Sequence, residues 1–207
     1  LHVGLTAQLR ELADRLPTPL VYTSTDQVFD GNPPPAPRRF APEDLPMPRS
    51  VYARTKRSGE LRVIEKAKLG IVARLALVYG PPIGELSGSF GFVETRLKAG
   101  EPVTLFSDEH RTPVFVGDVV RFLLGTPSLR RSEVLHLAGP DRLTRVAFGE
   151  LFARALGYDA ALIRPVSRLT LPGPERPADL AMQPYNKFNF LSATEGIQKL
   201  LVRQSAP

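Results

Sequence analysis

Helical segments alternate with short apolar runs along this chain, and this alternation constrains the fold more than any other feature. Leucines recur at helical spacing over residues 5–16, and the apolar run 20–24 follows. A second helical segment at 50–68 precedes the apolar run 71–78. Two strands that each follow a helix indicate βαβ units, in which the strands are parallel. We therefore predict an α/β fold built on a parallel sheet.

The later part of the chain continues the same alternation. The remaining predicted elements are a helix at 88–99, a strand at 103–106, a strand end running into a helix at 114–124, a strand at 134–138 and helices at 144–156 and 193–202. Ser50 is the predicted N-cap of the second helix, and Gly70 lies just past its predicted end. The proline-rich stretch 30–49 has no periodicity and is predicted to be a long ordered loop.

Composition excludes several classes of protein. The chain has 207 residues, of which 43% are hydrophobic and 23% are charged, so we expect a globular protein rather than a disordered or fibrous one. No apolar run reaches the roughly 20 residues that a membrane helix needs. The sequence has no cysteine, which excludes disulfides and thiolate zinc sites and favours a cytoplasmic location. The three histidines lack ligand spacing, so we predict no metal site.

The net charge of +6 raises the question of nucleic-acid binding. The basic residues are scattered, with short clusters at 38–39 and 54–57, and no recognition motif accompanies them. We therefore predict no nucleic-acid partner. A solvated basic face that attracts a small anionic ligand explains the charge better.

The segment from Tyr52 to Lys56 contains the residue types needed for acid–base chemistry. Residues four apart lie on one face of a helix, so the phenol and the ammonium are predicted to face the same cleft. A cation beside a tyrosine favours the phenolate and lowers the pKa of the phenol from its usual value near 10. Such a tyrosine could protonate an alkoxide formed from a ketone. The alternative is a surface helix on which Tyr52 packs against a neighbour and Lys56 is solvated.

Polar side chains follow the first predicted strand directly. The run Ser24–Gly31 places hydroxyls and a carboxylate at the carboxyl end of this strand, where ligands bind in open α/β sheets. A hydroxyl there could donate a hydrogen bond to a substrate carbonyl. The alternative for Thr25 and Asp26 is local turn chemistry, since these residue types often satisfy backbone groups at strand ends.

Five segments together form a combination that is typical of one enzyme family. They are the run Ser24–Gly31, the proline-rich loop, Val51–Lys56 followed by Gly59 and Glu60, Arg74–Gly80, and Arg111–Asp118. In combination they resemble the extended short-chain dehydrogenases/reductases. The nearest branch is that of dTDP-4-dehydrorhamnose reductase, to which the regulatory β subunit of methionine adenosyltransferase is related. The resemblance is specific through residues 20–120 and looser beyond.

The resemblance implies a Rossmann-like parallel sheet with a small α/β substrate-binding lobe. Residues 1–79 and 113–140 would belong to the Rossmann-like domain, and residues 80–112 and 141–207 would form the lobe. The implied cofactor is NADPH or NADH, and the implied substrate is a nucleotide-linked sugar. Helices at 3–16 and 50–68 resemble those that pair in this family, which implies a homodimer.

The resemblance also implies a role for individual residues. Thr25 would polarise the substrate carbonyl, Tyr52 would be the general acid, and Lys56 would lower the tyrosine pKa and hold the nicotinamide ribose. The implied cofactor-binding residues are Ser24, Tyr52, Lys56, Leu75 and Leu77. The implied substrate-binding residues are Asp26, Val28, Phe29, Phe90 and Arg111. For Arg111, whose guanidinium suits phosphate, the alternative is a structural arginine that ties the 108–112 turn.

One departure from the family pattern concerns the cofactor. The family begins with a Gly-rich β-turn-α segment that places the cofactor pyrophosphate on a helix N-terminus. No such motif follows a strand in this sequence, and the glycines at 84–91 follow two prolines in a predicted loop. We therefore expect that the N-terminal Gly-rich βαβ half is missing from this chain.

Three functions agree with these residues. The first is an NAD(P)H-dependent reductase of a nucleotide-linked 4-ketosugar. The second is a non-catalytic NADP-binding regulatory subunit with the same fold. The third is a sugar-nucleotide epimerase or dehydratase, which would use the same tyrosine and lysine.

Overall fold

The computed structural model describes residues 2–15, 18–32, 39–81, 89–170, 173 and 176–204. The helices are α1 (His2–Ala13), α2 (Val51–Lys66), α3 (Ser89–Lys98), α4 (Val116–Gly125), α5 (Arg145–Ala155) and α6 (Ala193–Gln204). The strands are β1 (Leu20–Thr25), β2 (Gly70–Leu75), β3 (Val78–Tyr79), β4 (Val103–Phe106), β5 (His110–Arg111), β6 (Val114–Phe115), β7 (Glu133–Leu137), β8 (Leu143–Thr144) and β9 (Ile163–Val166). Short 3-10 turns follow β1 and α4, and a third directly precedes β9.

Three parallel strands form the main sheet, in the order β1-β2-β7. Leu20 pairs with Gly70 at one end of β1 and Thr25 with Leu75 at the other, while β7 pairs with the other edge of β2. Central strand β2 is buried along almost its whole length, as expected for a parallel strand that is covered on both faces. The sheet confirms the predicted α/β fold.

The apolar run 71–78 is not one strand, as the sequence predicts, but two. The backbone N–H of Ala76 donates to the Leu137 carbonyl at the end of β7, 3.0 Å away. One residue later, the Leu77 carbonyl accepts from the Val114 N–H at 2.9 Å, and β3 continues this pairing with β6. The chain therefore changes partner between Ala76 and Leu77. Apolar periodicity cannot reveal this change because the residues on both sides of it are apolar and at least half-buried.

Helix α2 begins as predicted and ends differently. The Ser50 hydroxyl accepts from the Ala53 N–H at 3.0 Å and caps the first turn. Gly70 is not a helix cap. It is the first residue of β2, and a Cβ atom there would lie 2.4 Å from the Val63 carbonyl oxygen. The glycine is needed for this close approach of strand to helix.

Two clusters of buried side chains form the core. The first, on the main sheet, comprises Val28, Phe29, Phe40, Ile71, Ala73, Ala76, Val114, Val119, Phe122, Leu135, Leu137, Ala138, Leu180, Met182 and Phe190. The second comprises Tyr79, Phe90, Val93, Leu97, Val103, Leu105, Phe115, Phe148, Phe152, Ala153, Ile163, Ala193, Ile197 and Leu200. The predicted division of the chain into two domains stays a prediction. Leu180, Met182 and Phe190, which the prediction assigns to the lobe, pack in the first cluster.

A buried ion pair joins helix α2 to the main sheet. The Arg74 guanidinium donates to both Glu60 carboxylate oxygens, at 3.0 and 3.1 Å, and the two side chains are 2% and 0% exposed. It also donates to the Pro42 carbonyl at 3.2 Å and lies 5.1 Å from the centre of the Phe29 ring. This one side chain therefore connects α2, β2, the loop before α2 and the aromatic core.

We expect Glu60→Gln to lower the free energy of unfolding by about 3–5 kcal/mol, because it leaves the Arg74 charge buried without its partner. Urea unfolding followed by circular dichroism measures this change. Glu150→Gln is the matched control, because it breaks an exposed pair with Arg154 and should cost about 0–1 kcal/mol. Equal losses in the two variants would contradict the importance of the buried pair.

His136 lies on β7 of the same sheet and is fully buried. Its Nε2 atom is 3.4 Å from a guanidinium nitrogen of Arg74. Burial, together with the nearby Arg74 charge, lowers the pKa of His136 to about 3. The imidazole is therefore neutral in the folded protein at neutral pH.

The buried imidazole makes stability depend on pH. The unfolded chain binds a proton at His136 below about pH 6.5, whereas the folded protein does so only near pH 3. His136 therefore contributes a loss of stability as the pH falls from about 6.5 to about 3, at up to ~1.4 kcal/mol per pH unit. We expect His136→Gln to remove this part of the slope in urea unfolding between pH 7 and pH 4. A wild-type slope in that variant would refute the assignment.

Candidate active site

A cavity of about 410 Å³ opens beside the carboxyl end of β1. Its walls come from the turn after β1, the residues before α2, strand β5 and the segment that begins at Arg176. The lining residues are Gln27, Phe29, Arg49, Ser50, Glu109, Arg111, Arg176 and Pro177. Ligands bind at this end of the strands in open α/β sheets, and two of the predicted substrate residues, Phe29 and Arg111, line the cavity.

Thr25 caps the turn that follows β1. Its Oγ1 accepts from the Gln27 N–H at 3.3 Å and donates to Asp26 Oδ1 at 3.2 Å. These are the local bonds of the turn-chemistry alternative, and they hold the hydroxyl at the end of the strand. The Thr25 hydroxyl donates its hydrogen to the Asp26 carboxylate. A ligand oxygen could accept this hydrogen in place of the carboxylate.

Asp26 and Arg111 are a loosely matched buried pair. Asp26 Oδ2 and Arg111 Nη1 lie 3.8 Å apart, and neither atom has a hydrogen-bond partner among the described residues. Burial raises the pKa of Asp26, while the Arg111 charge opposes this rise. The other arm of Arg111 pairs with Glu109 at 3.1 Å. Arg111 therefore lines the cavity and ties its own turn through Glu109, while its predicted contact with phosphate stays a prediction.

Arg145, at the start of α5, adds a further cation behind this pair. Burial lowers the pKa of Arg145, and the neighbouring Glu109 carboxylate partly restores it. The guanidinium carbon lies 5.5 Å from the centre of the Phe90 ring. Phe90 is itself buried, with its ring centre 4.4 Å from that of Phe148. Phe90 is therefore a core residue beneath Arg145 and does not line the described cavity.

Tyr52 and Lys56 lie one helical turn apart near the start of α2. Tyr52 is 47% exposed, and it follows the cavity-lining residue Ser50 by two positions. Lys56 is not a solvated surface lysine, because its Nζ donates to the Thr23 carbonyl of β1 at 2.9 Å. Burial lowers the pKa of Lys56. The helix thus places a phenol and a fixed ammonium beside the end of β1.

The other predicted cofactor residues surround the same strand ends. The Ser24 hydroxyl is buried and has no hydrogen-bond partner among the described residues. Leu75 pairs with Thr25 across the sheet, and the Leu77 carbonyl is already bonded to Val114. A free buried hydroxyl, an ammonium and an exposed phenol fit the ribose end of a nicotinamide cofactor. The sequence has no Gly-rich turn for the pyrophosphate end.

The two remaining predicted substrate residues differ in position. Val28 is fully buried in the first core cluster. Phe29 lines the cavity, and its ring stacks on Phe40 with 4.2 Å between ring centres. Of this pair, only Phe29 reaches the cavity wall.

The cavity contains residues that the sequence analysis missed. These are Gln27, Arg49, Ser50, Glu109, Arg176 and Pro177, together with Arg145 behind the wall. Three of the lining residues are arginines at positions 49, 111 and 176, so no local spacing connects them. The only available signal was the scattered basic charge, which indicates an anionic ligand without saying where it binds.

Two searches of the described part of the chain gave negative results. Residues 2–204, apart from the gaps given above, contain no group of three or more histidine or acidic side chains that could hold a metal ion. None of the helices described is both long and apolar enough to cross a membrane.

Comparison of this sequence with those of known proteins identifies relatives. dTDP-4-dehydrorhamnose reductase from Mycobacterium tuberculosis is 35% identical over 158 residues, which cover 75% of this chain and 51% of that protein. Methionine adenosyltransferase 2 subunit beta from Rattus norvegicus is 26% identical over 186 residues, which cover 86% of this chain and 54% of that protein. The chain thus spans about half the length of the curated relatives that it matches.

Solved structures support the fold. The crystal structure of a dTDP-4-dehydrorhamnose reductase from Clostridium acetobutylicum matches with a TM-score of 0.85 at 21% identity, covering 97% of this chain and 71% of that chain. The enzyme of the same name from Bacillus anthracis, in complex with NADP, matches with a TM-score of 0.82 at 20% identity, covering 96% of this chain and 70% of the other. These likenesses confirm a Rossmann-like α/β fold.

The predicted resemblance to the dTDP-4-dehydrorhamnose reductase branch is confirmed by these comparisons. A family model described as the RmlD substrate binding domain matches residues 2–194. That match includes almost all of the chain and every residue of the candidate site. The chain therefore belongs to the RmlD substrate binding domain family.

Proposed function

We propose that this protein reduces the keto group of a nucleotide-linked 4-ketosugar with NADPH or NADH. The observation that carries the proposal is the placement of Lys56, whose ammonium is held at β1 one turn from Tyr52. The cavity with its three arginines begins beside the same helix end. An acid, a cation that assists it and an anion-binding cavity are the groups that this reaction needs.

The charge of the cavity suits the nucleotide part of such a substrate. Guanidinium groups bind phosphate oxygens in a bidentate manner, and Arg49, Arg111 and Arg176 approach from three different parts of the chain. Glu109 neutralises one arm of Arg111, so a positive excess remains in the cavity. A diphosphate bound there would leave the sugar towards Thr25 and the start of α2.

The residues of the site would act in a defined order. The Thr25 hydroxyl would turn from Asp26 to the substrate carbonyl and orient it. A nicotinamide cofactor, held at its ribose by Lys56 and Ser24, would supply the hydride that the carbonyl carbon needs. Tyr52 would then donate its phenolic proton to the oxygen that becomes an alcohol, and the Lys56 ammonium would stabilise the resulting phenolate. Because Tyr52 is exposed, the phenolate would regain a proton from water.

The cofactor would contact this chain through its nicotinamide ribose. Lys56 has two ammonium hydrogens beyond the one given to Thr23, and the unpartnered Ser24 hydroxyl lies on the same strand. The choice between NADPH and NADH, the cytoplasmic location and the homodimer stay predictions from the sequence.

We expect Tyr52→Phe to lower kcat for a dTDP-4-keto-6-deoxysugar by about 10²–10⁴-fold, because the variant has no proton to donate. Oxidation of NADPH followed at 340 nm measures the rate. Tyr158→Phe is the matched control, since Tyr158 packs against the second core cluster and does not line the cavity. Unchanged turnover in Tyr52→Phe would show that another group supplies the proton.

We expect Arg176→Gln to raise KM for the nucleotide sugar by about 10–100-fold and to leave kcat within a few-fold, because one charged hydrogen bond to phosphate is lost. Steady-state kinetics separates the two constants. Arg154→Gln, which removes an exposed arginine of α5, is the control. A fall in kcat at constant KM would place Arg176 near the reacting carbonyl instead of the phosphates.

A regulatory role is the second candidate, and the similarity to methionine adenosyltransferase 2 subunit beta favours it. This role predicts cofactor binding without turnover, so titration with NADPH alongside the turnover assay separates the two functions. The epimerase or dehydratase alternative rests on structures that share only the fold. A cofactor that stays bound in its oxidised form through turnover would favour that alternative.

A further inference from the structure

Tyr22 lies where strand β1 faces helix α2. A Cβ atom on Gly59 would lie 2.3 Å from the Tyr22 hydroxyl oxygen. The phenol ring therefore crosses the helix at a residue whose lack of a side chain makes room for it. The Tyr22 hydroxyl is buried and has no hydrogen-bond partner among the described residues, so the ring is not positioned by a bond to its own oxygen.

The ring of Tyr22 is in contact with the ammonium of Lys56. Nζ lies 5.2 Å from the ring centre, within the roughly 6 Å at which a cation is attracted to an aromatic face. The same nitrogen donates to the carbonyl of the next residue, Thr23, at 2.9 Å. Two consecutive residues of β1 thus hold one ammonium, Tyr22 through its side chain and Thr23 through its backbone.

The charge state of Tyr22 suits this role. Burial raises the pKa of the Tyr22 phenol, and Glu60 and Tyr52 raise it further. The charged groups beside this contact are Lys56 and Glu60, and Glu60 is itself paired with Arg57 and Arg74. Tyr22 therefore stays a neutral phenol and offers an electron-rich face to the ammonium. Tyr52, which is exposed, remains the phenol that a substrate can reach.

We propose that Tyr22 is a positioning residue for Lys56, whose ammonium its ring holds at β1 one helical turn from Tyr52. Lysine has a long flexible stem with many rotamers, and the ring and the Thr23 carbonyl select one of them. The inference rests on the proposed function, because positioning has a catalytic effect only if Lys56 assists Tyr52. Its structural part, the contact between ring and ammonium, is testable without turnover.

The test compares Tyr22→Phe with Tyr22→Leu. Phenylalanine keeps the aromatic face and removes only the hydroxyl, while leucine keeps an apolar side chain at the same place and removes the face. Loss of the attraction between the ring and the Lys56 ammonium destabilises the charged form and favours the neutral amine. We therefore expect the pKa of Lys56 to fall by about 0.4–0.7 pH unit in Tyr22→Leu, a 2–5-fold change in its protonation equilibrium, and to stay unchanged in Tyr22→Phe.

The intact, folded protein is acylated at a series of pH values. Mass spectrometry then quantifies the acylation of each individual lysine. Lys68, which is exposed, is the internal reference and should titrate alike in all three proteins. A fall at Lys56 in the leucine variant alone supports the proposal. Identical Lys56 curves in the three proteins would overturn it, because a residue that merely fills space would give that result.

A second modification keeps the test decisive if Tyr22→Leu fails to fold. Trifluorination of the ring of the phenylalanine in Tyr22→Phe preserves its shape and weakens the negative charge on its face. The same fall in the Lys56 pKa is expected there. An unchanged titration in the folded fluorinated protein would overturn the proposal as clearly as the leucine result.

Turnover separates this proposal from the proposed function. In the reductase assay, Tyr22→Leu should lower kcat about 2–5-fold with an unchanged KM for the nucleotide sugar, while Tyr22→Phe keeps the wild-type rate. A shifted Lys56 titration in a protein that reduces no ketosugar nucleotide would support the positioning and refute the reductase. Normal turnover with an unshifted Lys56 titration would support the reductase and refute the positioning role of Tyr22.

Discussion

The buried ion pair between Glu60 and Arg74 is the interaction on which the arrangement of the cavity depends. A buried charge without its partner costs several kcal/mol, so helix α2 cannot slide along the sheet without a large penalty. Lys56 and Tyr52 lie on the same helix as Glu60, four and eight residues before it. Arg74 also donates to Pro42 in the loop before α2 and lies over the cavity-lining ring of Phe29, so the pair connects the helix to that loop and to one cavity wall.

Much of this fold could be predicted from the sequence because its signals are local. The first strand, the Ser50 cap and the helix with Tyr52 and Lys56 each depend on neighbouring residues, and the structure confirms them. The two-residue strands β3, β5 and β8 were missed, since such short pairings leave no periodicity. Gly70 was predicted as a helix end, and only the position of the Val63 carbonyl shows why a glycine is required there.

The candidate site was predictable where a motif carries it and not where tertiary contacts build it. Thr25, Tyr52 and Lys56 belong to short recognisable segments. Arg49 and Arg176 have no such context, since more than a hundred residues separate them and only the folded chain brings them to one cavity. Phe90 shows the opposite case. The sequence around an aromatic residue does not distinguish one that lines a pocket from one that packs beneath an arginine, as Phe90 does beneath Arg145.

The change of partner between Ala76 and Leu77 means that one continuous backbone segment serves both cores. Its first half completes the main sheet with β7, and its second half pairs with β6 beside the other cluster. A cut or an insertion at this point would leave each core with an open edge. A chimaera with a relative would therefore need its junctions elsewhere, so that the segment from β2 to β3 comes from a single parent.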